Sequence, residues 1–263
     1  LAHPTVQEGM HQNWNRIRKS KQEHHAAPFS MTEEFVSVYR MHPLMPDDFV
    51  FRSLADGQVI LRRTLDKVAN RHSREVMTQV SLVDLFYSFG VAHPGAITLL
   101  NYPDHLRSLK LNGEVKMDLA AVDILRDRER GVPRYNRFRE LAGLDRIERF
   151  EDLSDNKEWC EEIRHVYGYD IDAVDAMVGM FAEPLIKGFG FSETAFRIFL
   201  LMASRRLQSD RFFTTDYNEA TYTRAGLDWI EQTTMTTVLT RHLPQLKPIL
   251  KNVENAFGPW PSA

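Results

Sequence analysis

The sequence predicts a mainly α-helical fold with at most one small β-hairpin. Apolar residues recur at helical spacing along most of the chain. Short loops marked by glycine and proline separate these stretches. The 263 residues, of which 11% are aromatic, exclude a disordered chain and are enough to bury a large core in one domain.

Two elements are predicted in the N-terminal third of the chain. Apolar residues at helical spacing indicate a helix that ends near His42, because the residue before Pro43 disfavours helical geometry. The hairpin is expected within residues 50–61, around the turn formed by Asp56 and Gly57.

Two helices are predicted to follow the hairpin. Ser81 and Asp84 form a capping box for a helix that Gly90 is expected to stop. Pro94 suits the first turn of the next helix, which we expect to end at residues 101–103.

The second half of the chain predicts further helices. The helix after Ser192 is apolar on almost all sides, which is typical of a helix buried in a large core. One more helix is expected in the tail from Ala225. The remaining helices are bounded by Asp118 and Gly131, by Pro133 and Gly143, and by Asp172 and Pro184.

Composition excludes several classes of protein. The net charge of −3, with no block of lysine and arginine, argues against a nucleic-acid-binding protein. Cys160 is the single cysteine, so the chain has no internal disulfide, and we expect an intracellular location, cytoplasmic or peripheral to a membrane. The longest uncharged run, residues 85–103, contains glycine and proline and is not expected to span a bilayer. Sequence motifs of serine hydrolases, P-loop proteins and dinucleotide-binding proteins are missing.

Tyr39 and His42 are the first candidate site residues. Three residues apart on a predicted helix, they share one face, so a phenol and an imidazole would project into the same interior space. The spacing alone favours a stripe of core residues. The position of His42 at the helix end alternatively suits a metal ligand.

A charged segment at residues 123–136 is the second candidate. Ion pairs on a solvated face are its ordinary interpretation. Asp123, however, lies on the side of Ala120 and Ile124, where a carboxylate needs a partner such as a histidine N–H.

Arg205 and Arg206 are the third candidate. They follow the apolar helix, so at least one guanidinium is expected to face buried surface, where it needs an anion. The candidates for this anion are a protein carboxylate such as Glu183, a cofactor propionate and a ligand carboxylate.

Three sequence motifs, in the same order along the chain, resemble those of the animal-type haem peroxidase and cyclooxygenase superfamily. Their residues are most similar to those of its fatty-acid α-dioxygenase branch. The Glu-Arg pair at 129–130, which replaces the Asp-His of mammalian-type peroxidases, also resembles that branch. The resemblance covers nearly the whole chain. The stretches that match the superfamily are Tyr39-Arg40-Met41-His42, Arg126–Asn136 and Arg206–Phe212. The stretches that resemble the α-dioxygenase branch are Thr32–His42, Arg126–Arg130, Ile186–Phe189, Ser192–Phe196 and Asp210–Thr215.

The resemblance implies a haem b enzyme in which His42 is the proximal iron ligand and Tyr39 is oxidised to a radical. That radical would remove a hydrogen from the carbon next to a fatty-acid carboxylate, and dioxygen would add to give a 2-hydroperoxy acid. Arg206 matches the family arginine that pairs with the substrate carboxylate. Asp123 is expected to bond the imidazole of His42, and Arg126 is expected at the cofactor.

In this family the distal histidine, a calcium loop and further carboxylate-binding residues precede the region that the chain matches. The resemblance therefore assigns residues 1–263 to the C-terminal, proximal-haem part of a single catalytic domain, with any calcium in the distal half. The chain begins at Leu1 with no targeting pattern, so we expect a fragment or a processed chain, inactive alone, whose remainder is a second chain or missing sequence. A peroxide-using haem peroxidase, a fatty-acid diol-synthase relative and a non-catalytic haem-binding helical subunit remain alternatives.

Overall fold

The computed structural model describes residues 21–23, 33–111 and 115–262, which form two compact units. The first unit contains the described residues up to 44, with Ala96–Tyr102 and Leu106–Thr223. The second contains Met45–Gly95, Pro103–His105 and the described residues from 224. Thr32, which belongs to one matching motif, lies outside the described residues.

The predicted mainly helical fold is confirmed. The helices are α1 (Glu33–Val38), α2 (His72–Gln79), α3 (Leu82–Val91), α4 (Asp104–Arg107), α5 (Leu119–Glu129), α6 (Tyr135–Leu141), α7 (Lys157–Val166), α8 (Ala176–Ala182), α9 (Glu193–Ser209), α10 (Glu219–Gln232), α11 (Met235–His242) and α12 (Lys247–Leu250). The strands are β1 (Asp48–Arg52), β2 (Val59–Thr64), β3 (Leu109–Leu111) and β4 (Val115–Met117).

In the part of the chain that the structure describes, the strands form two antiparallel hairpins, one more than the sequence predicts. The predicted hairpin is β1–β2, with Phe51 opposite Leu61, and its turn contains Gly57 at a φ of 70°. The hairpin that was not predicted is β3–β4, whose strands are only three residues long, too short to show an alternating pattern.

Local capping signals place two helices correctly. The Ser81 hydroxyl accepts a hydrogen bond from the backbone N–H of Asp84 at the start of α3. Gly90 does not stop this helix. Gly90 lies inside the helix, and the ring of Trp260 packs against it so closely that a Cβ there would stand 2.0 Å from a ring atom. Asp118 caps α5 in the predicted way, by accepting from two backbone N–H groups.

The helix predicted from Pro94 does not form. Residues 92–103 are irregular, since Leu99 donates its N–H to the carbonyl oxygen of Phe181 rather than to its own segment. The side-chain amide of Asn101 donates to the carbonyl oxygen of Pro43. These bonds hold the segment across the first unit and bring the next residue, Tyr102, to the candidate site.

The core of the first unit surrounds α8, and part of α9 packs on it. Tyr135 and Val174 are fully buried in this core, and Ile198 of α9 faces it. Phe196 and Phe199 are partly exposed. The expectation that this helix is buried all round is therefore wrong for the described chain.

Candidate functional site

The sequence predicts that Tyr39 and His42 lie on one helix, but the structure places them on separate elements. Helix α1 ends at Val38, and Tyr39 closes its last turn by donating its N–H to the carbonyl oxygen of Phe35. His42 begins a separate 3-10 turn that contains Pro43. The predicted helix therefore runs four residues too far, and the chain changes direction between the phenol and the imidazole.

The imidazole of His42 is held by a short chain of hydrogen bonds. Its Nδ1 lies 2.9 Å from the hydroxyl oxygen of Tyr102, and that hydroxyl lies 3.1 Å from Oδ2 of Asp123. Nδ1 of His42 is 3.7 Å from the same carboxylate oxygen. The structure therefore places Tyr102, which sequence reasoning missed, between the two residues expected to bond directly.

Asp123 is the buried end of this series of hydrogen bonds. It is 2% exposed, and its other oxygen lies 3.1 Å from Nε of Arg40. Its helix, α5, carries a second buried carboxylate one turn later, Asp127, which accepts a hydrogen bond of 2.6 Å from Ser37 of α1. Two buried carboxylates on one face thus fix α5 beside the segment that carries His42. We name Arg40, Asp123, Tyr102 and His42 the Asp123 cluster.

Burial sets the protonation of the titratable groups near this site. It lowers the pKa of His42, although Asp123 opposes this effect, so the imidazole is favoured in its neutral form. Burial and the negative charge of Asp123 raise the pKa of Tyr102, which keeps its hydroxyl protonated. Burial likewise raises the pKa of Asp127.

The ring of Tyr39 belongs to an aromatic cluster in the first unit. Its centroid lies 4.7 Å from that of Phe35 and 6.0 Å from that of Phe199, which it stacks upon. The sequence predicts an interior position for this ring, but Tyr39 is 52% exposed. The cluster consists of Phe35, Tyr39, Phe189, Phe191, Phe196 and Phe199.

Arg205 and Arg206 are both exposed near the end of α9, so the expected buried guanidinium is not found. Glu183, a candidate partner, accepts instead from Tyr135 at 3.0 Å, from Arg139 at 3.3 Å and from the backbone N–H of Thr194 at 3.3 Å. Thr194 precedes Arg206 by twelve residues on α9, which is about 18 Å along the axis. Glu183 therefore serves the opposite end of that helix.

Arg126 binds a protein carboxylate. Its Nε and Nη2 donate to the two carboxylate oxygens of Glu33 at 3.0 and 3.1 Å. This pair lowers the pKa of Glu33 from its ordinary value, since a nearby cation favours the charged carboxylate. The expected place of Arg126 at a cofactor stays a prediction.

His42 belongs to no cluster of potential metal ligands among the residues that the structure describes. Within the described ranges, no three His, Cys, Asp or Glu side chains gather as metal ligands would. The hydrogen bond and the ion pair found for His42 among these residues both involve Nδ1, and Nε2 is the ring atom that remains for a ligand. No helix in the described part of the chain has the length and apolarity needed to cross a membrane.

Comparison with known proteins agrees with the resemblance. The animal haem peroxidase family model matches residues 4–254. Alpha-dioxygenase 2 of Arabidopsis thaliana is 43% identical over 252 residues, which are 90% of this chain and 40% of that protein. The crystal structure of Oryza sativa fatty acid alpha-dioxygenase superposes with a TM-score of 0.86 at 38% identity, covering 93% of this chain and 42% of that one. A tyrosine-to-phenylalanine variant of the rice enzyme with palmitic acid matches equally well. The chain thus spans about 40% of the length of these relatives.

Proposed function

Because the chain belongs to the animal haem peroxidase family, we propose that it is the proximal-haem part of a fatty-acid α-dioxygenase. Membership of the family implies a haem iron. We propose haem b as the form, His42 as its proximal ligand, and both compact units as parts of one catalytic domain, since the family match extends over both.

The observation that carries the proposal is the environment of His42. Its imidazole is held by Tyr102 through Nδ1, which is the arrangement typical of a metal-binding histidine. Asp123 would act on the imidazole through Tyr102. When bound, the haem would supply the one-electron oxidation of a phenol.

Tyr39 would be that phenol. It would lose one electron and its proton, and the resulting radical would take one hydrogen atom from the carbon next to a fatty-acid carboxylate. Dioxygen would then add to that carbon radical, and the resulting peroxyl radical would take the hydrogen atom back from Tyr39, which gives the 2-hydroperoxy product and restores the tyrosyl radical. The exposed edge of Tyr39 in the aromatic cluster favours this role, because an acyl chain can reach it beside apolar surface.

Arg206 would hold the carboxylate of the fatty acid. It lies seven residues after Phe199 on α9, so both residues share one face of the helix, about 10 Å apart along the axis. Helical side chains lean toward the N terminus of their helix, so we expect the guanidinium to extend toward Phe199 and Tyr39. A fixed carboxylate would present its α-carbon to Tyr39 rather than a later methylene.

Fatty acid and dioxygen are the substrates in this proposal. The palmitic acid of the matching rice structure supports that substrate class. The chain spans about 40% of its relatives, so we expect the distal half of the haem environment, with any calcium site, outside these 263 residues. A second chain or further sequence of the same polypeptide would supply it.

Tyr39→Phe tests the radical role in the complete holoenzyme. We expect loss of fatty-acid oxygenation, measured as oxygen uptake, with the haem absorption spectrum and simple peroxidase turnover retained. Tyr169→Phe is the matched control, because Tyr169 is likewise an exposed tyrosine but lies outside the aromatic cluster. Oxygenation at the wild-type rate in Tyr39→Phe would contradict the proposal and favour a peroxide-using peroxidase.

Arg206→Ala tests the carboxylate site. We expect a higher KM for the fatty acid with an unchanged haem spectrum, because in this proposal the arginine pairs with the carboxylate of the substrate and not with the haem. The neighbouring exposed arginine provides the control variant Arg205→Ala. Loss of haem from Arg206→Ala would instead assign this arginine to a propionate.

A further inference from the structure

We propose that Tyr102 is a positioning residue that fixes the tautomer of His42, with the proton on Nδ1 and the lone pair on Nε2. This hydroxyl would make Nε2 the only ring atom able to bind a metal. The inference rests on the proposed function for the identity of that metal as haem iron. The tautomer itself follows from hydrogen bonds within the chain.

The argument begins at the buried carboxylate of Asp123. This group is paired with Arg40 at 3.1 Å, so it is ionised and can only accept hydrogen bonds. The hydroxyl of Tyr102 lies 3.1 Å from its other oxygen. Because a tyrosine hydroxyl has one proton, that proton is committed to Asp123.

The contact between Tyr102 and His42 must then be donated by the imidazole. The hydroxyl oxygen of Tyr102 and Nδ1 of His42 are 2.9 Å apart, which is hydrogen-bonding distance. With its proton directed to Asp123, the hydroxyl can only accept in this second bond. Nδ1 therefore carries the proton, and a neutral imidazole has its lone pair on Nε2.

The opposite tautomer of His42 would leave Oδ2 of the buried Asp123 carboxylate without the hydroxyl donor of Tyr102. If Tyr102 donated to Nδ1, its oxygen would face Oδ2 of Asp123 at 3.1 Å with no proton between two acceptors. Asp123 is almost fully buried, so water could not replace the missing donor. The cost of leaving one oxygen of a buried carboxylate without a donor favours the Nδ1–H tautomer.

Asp123 does not replace Tyr102 in this role. Its nearest oxygen is 3.7 Å from Nδ1, beyond hydrogen-bonding distance. The ring of Tyr102 also packs on that of His42, with centroids 5.2 Å apart. Substituting phenylalanine would keep this ring packing and remove the hydroxyl that accepts from Nδ1 and donates to Asp123.

The first test needs no haem. In the complete protein prepared without haem and labelled with ¹⁵N-histidine, NMR distinguishes protonated from unprotonated ring nitrogens, and the signals of His42 are those lost in His42→Gln. We expect Nδ1 to be protonated in the wild type and the population to shift toward the Nε2–H tautomer in Tyr102→Phe. An Nε2–H tautomer in the wild type would overturn the proposal.

The second test measures the metal ligand. In the haem-loaded complete protein, Tyr102→Phe should weaken haem binding about 10- to 100-fold, as is typical when the partner of a metal-binding histidine is removed. The iron–histidine stretching band of the ferrous protein should move to lower wavenumber. Tyr167→Phe is the control, since Tyr167 makes the same kind of hydroxyl–carboxylate bond, to Asp175 at 2.8 Å. Wild-type tautomer and haem affinity in Tyr102→Phe would overturn the positioning role.

The two tests separate this inference from the proposed function. A histidine other than His42 on the iron would contradict the proposed function, while the NMR experiment would still report whether Tyr102 controls the imidazole. A stretching band unchanged in Tyr102→Phe but lost in His42→Gln would leave the function standing and overturn the inference.

Discussion

Asp123 and Glu183 are two buried carboxylates of the first unit with the same kinds of partner. Each is paired with an arginine and accepts a hydrogen bond from a tyrosine hydroxyl. The partners are Arg40 and Tyr102 for Asp123, and Arg139 and Tyr135 for Glu183. We name Glu183, Arg139, Tyr135 and Thr194 the Glu183 cluster.

The two clusters differ in what lies at their edge. In the Glu183 cluster the arginine side chain is 9% exposed, and the tyrosine and threonine are fully buried. In the Asp123 cluster the side chains of Arg40 and His42 are 25% and 24% exposed. A sealed cluster can only stabilise the fold. An equivalent cluster that ends on a partly exposed imidazole can also orient a ligand atom.

The largest expected effect concerns the burial of the Glu183 cluster from solvent. Arg139→Leu should lower the free energy of unfolding by about 3–5 kcal/mol, because it leaves Glu183 as a buried charge without its cation. Arg40→Leu should lower it less, because water can reach the position of the more exposed Arg40 side chain. Urea unfolding followed by circular dichroism measures both. Equal losses would mean that exposure does not distinguish the two clusters.

A smaller effect concerns pH. Burial raises the pKa of Glu183 above its ordinary value, so the folded state binds this proton more tightly than the unfolded state. The resulting stability is fully present below the unfolded pKa and is lost as the pH rises through the folded pKa. Glu183→Gln removes this titration.

The unfolding free energy of Glu183→Gln should therefore fall less than that of the wild type between about pH 4 and about pH 7. Urea unfolding at both pH values measures this difference. Glu158→Gln, at an exposed position of α7, is the control. Parallel pH profiles for the wild type and Glu183→Gln would show that the Glu183 proton is bound equally in both states.

Local signals in the sequence predicted much of the fold, and long-range contacts account for what they missed. The Asp-Gly turn of the hairpin and the Asp118 cap act on neighbouring residues, so both could be recognised. Helix α7 was missed because it buries only Cys160 and Ile163 and otherwise presents a largely polar surface. The helix from Pro94 was predicted in error, because contacts with distant residues hold that segment irregular.

The candidate site shows the same limit. His42 and Asp123 could be found, one from a motif and the other as a carboxylate on an apolar side of a helix. Tyr102 could not, because it is 60 residues from His42 and 21 from Asp123 in the sequence. Its only local signal, an Asn-Tyr-Pro sequence, was interpreted as the end of a helix that does not form.

The smallest expected effect on stability concerns a third carboxylate pair, which is the most exposed of the three. Arg126 and Glu33 have side chains that are 41% and 29% exposed, so Arg126→Ala should change the free energy of unfolding little. Haem affinity separates the two roles of this arginine. If Arg126 also binds a haem carboxylate, Arg126→Ala should weaken haem binding.

Glu33→Gln then provides the decisive contrast, because it neutralises the carboxylate that accepts from Nε and Nη2 of Arg126. An arginine shared between Glu33 and a haem carboxylate should bind haem more tightly once Glu33 is neutral, so the two variants should change haem affinity in opposite directions. Titration of haem into each variant measures this. Wild-type affinity in both would confine Arg126 to its pair with Glu33 and leave His42 as the proposed contact of this part of the chain with the cofactor.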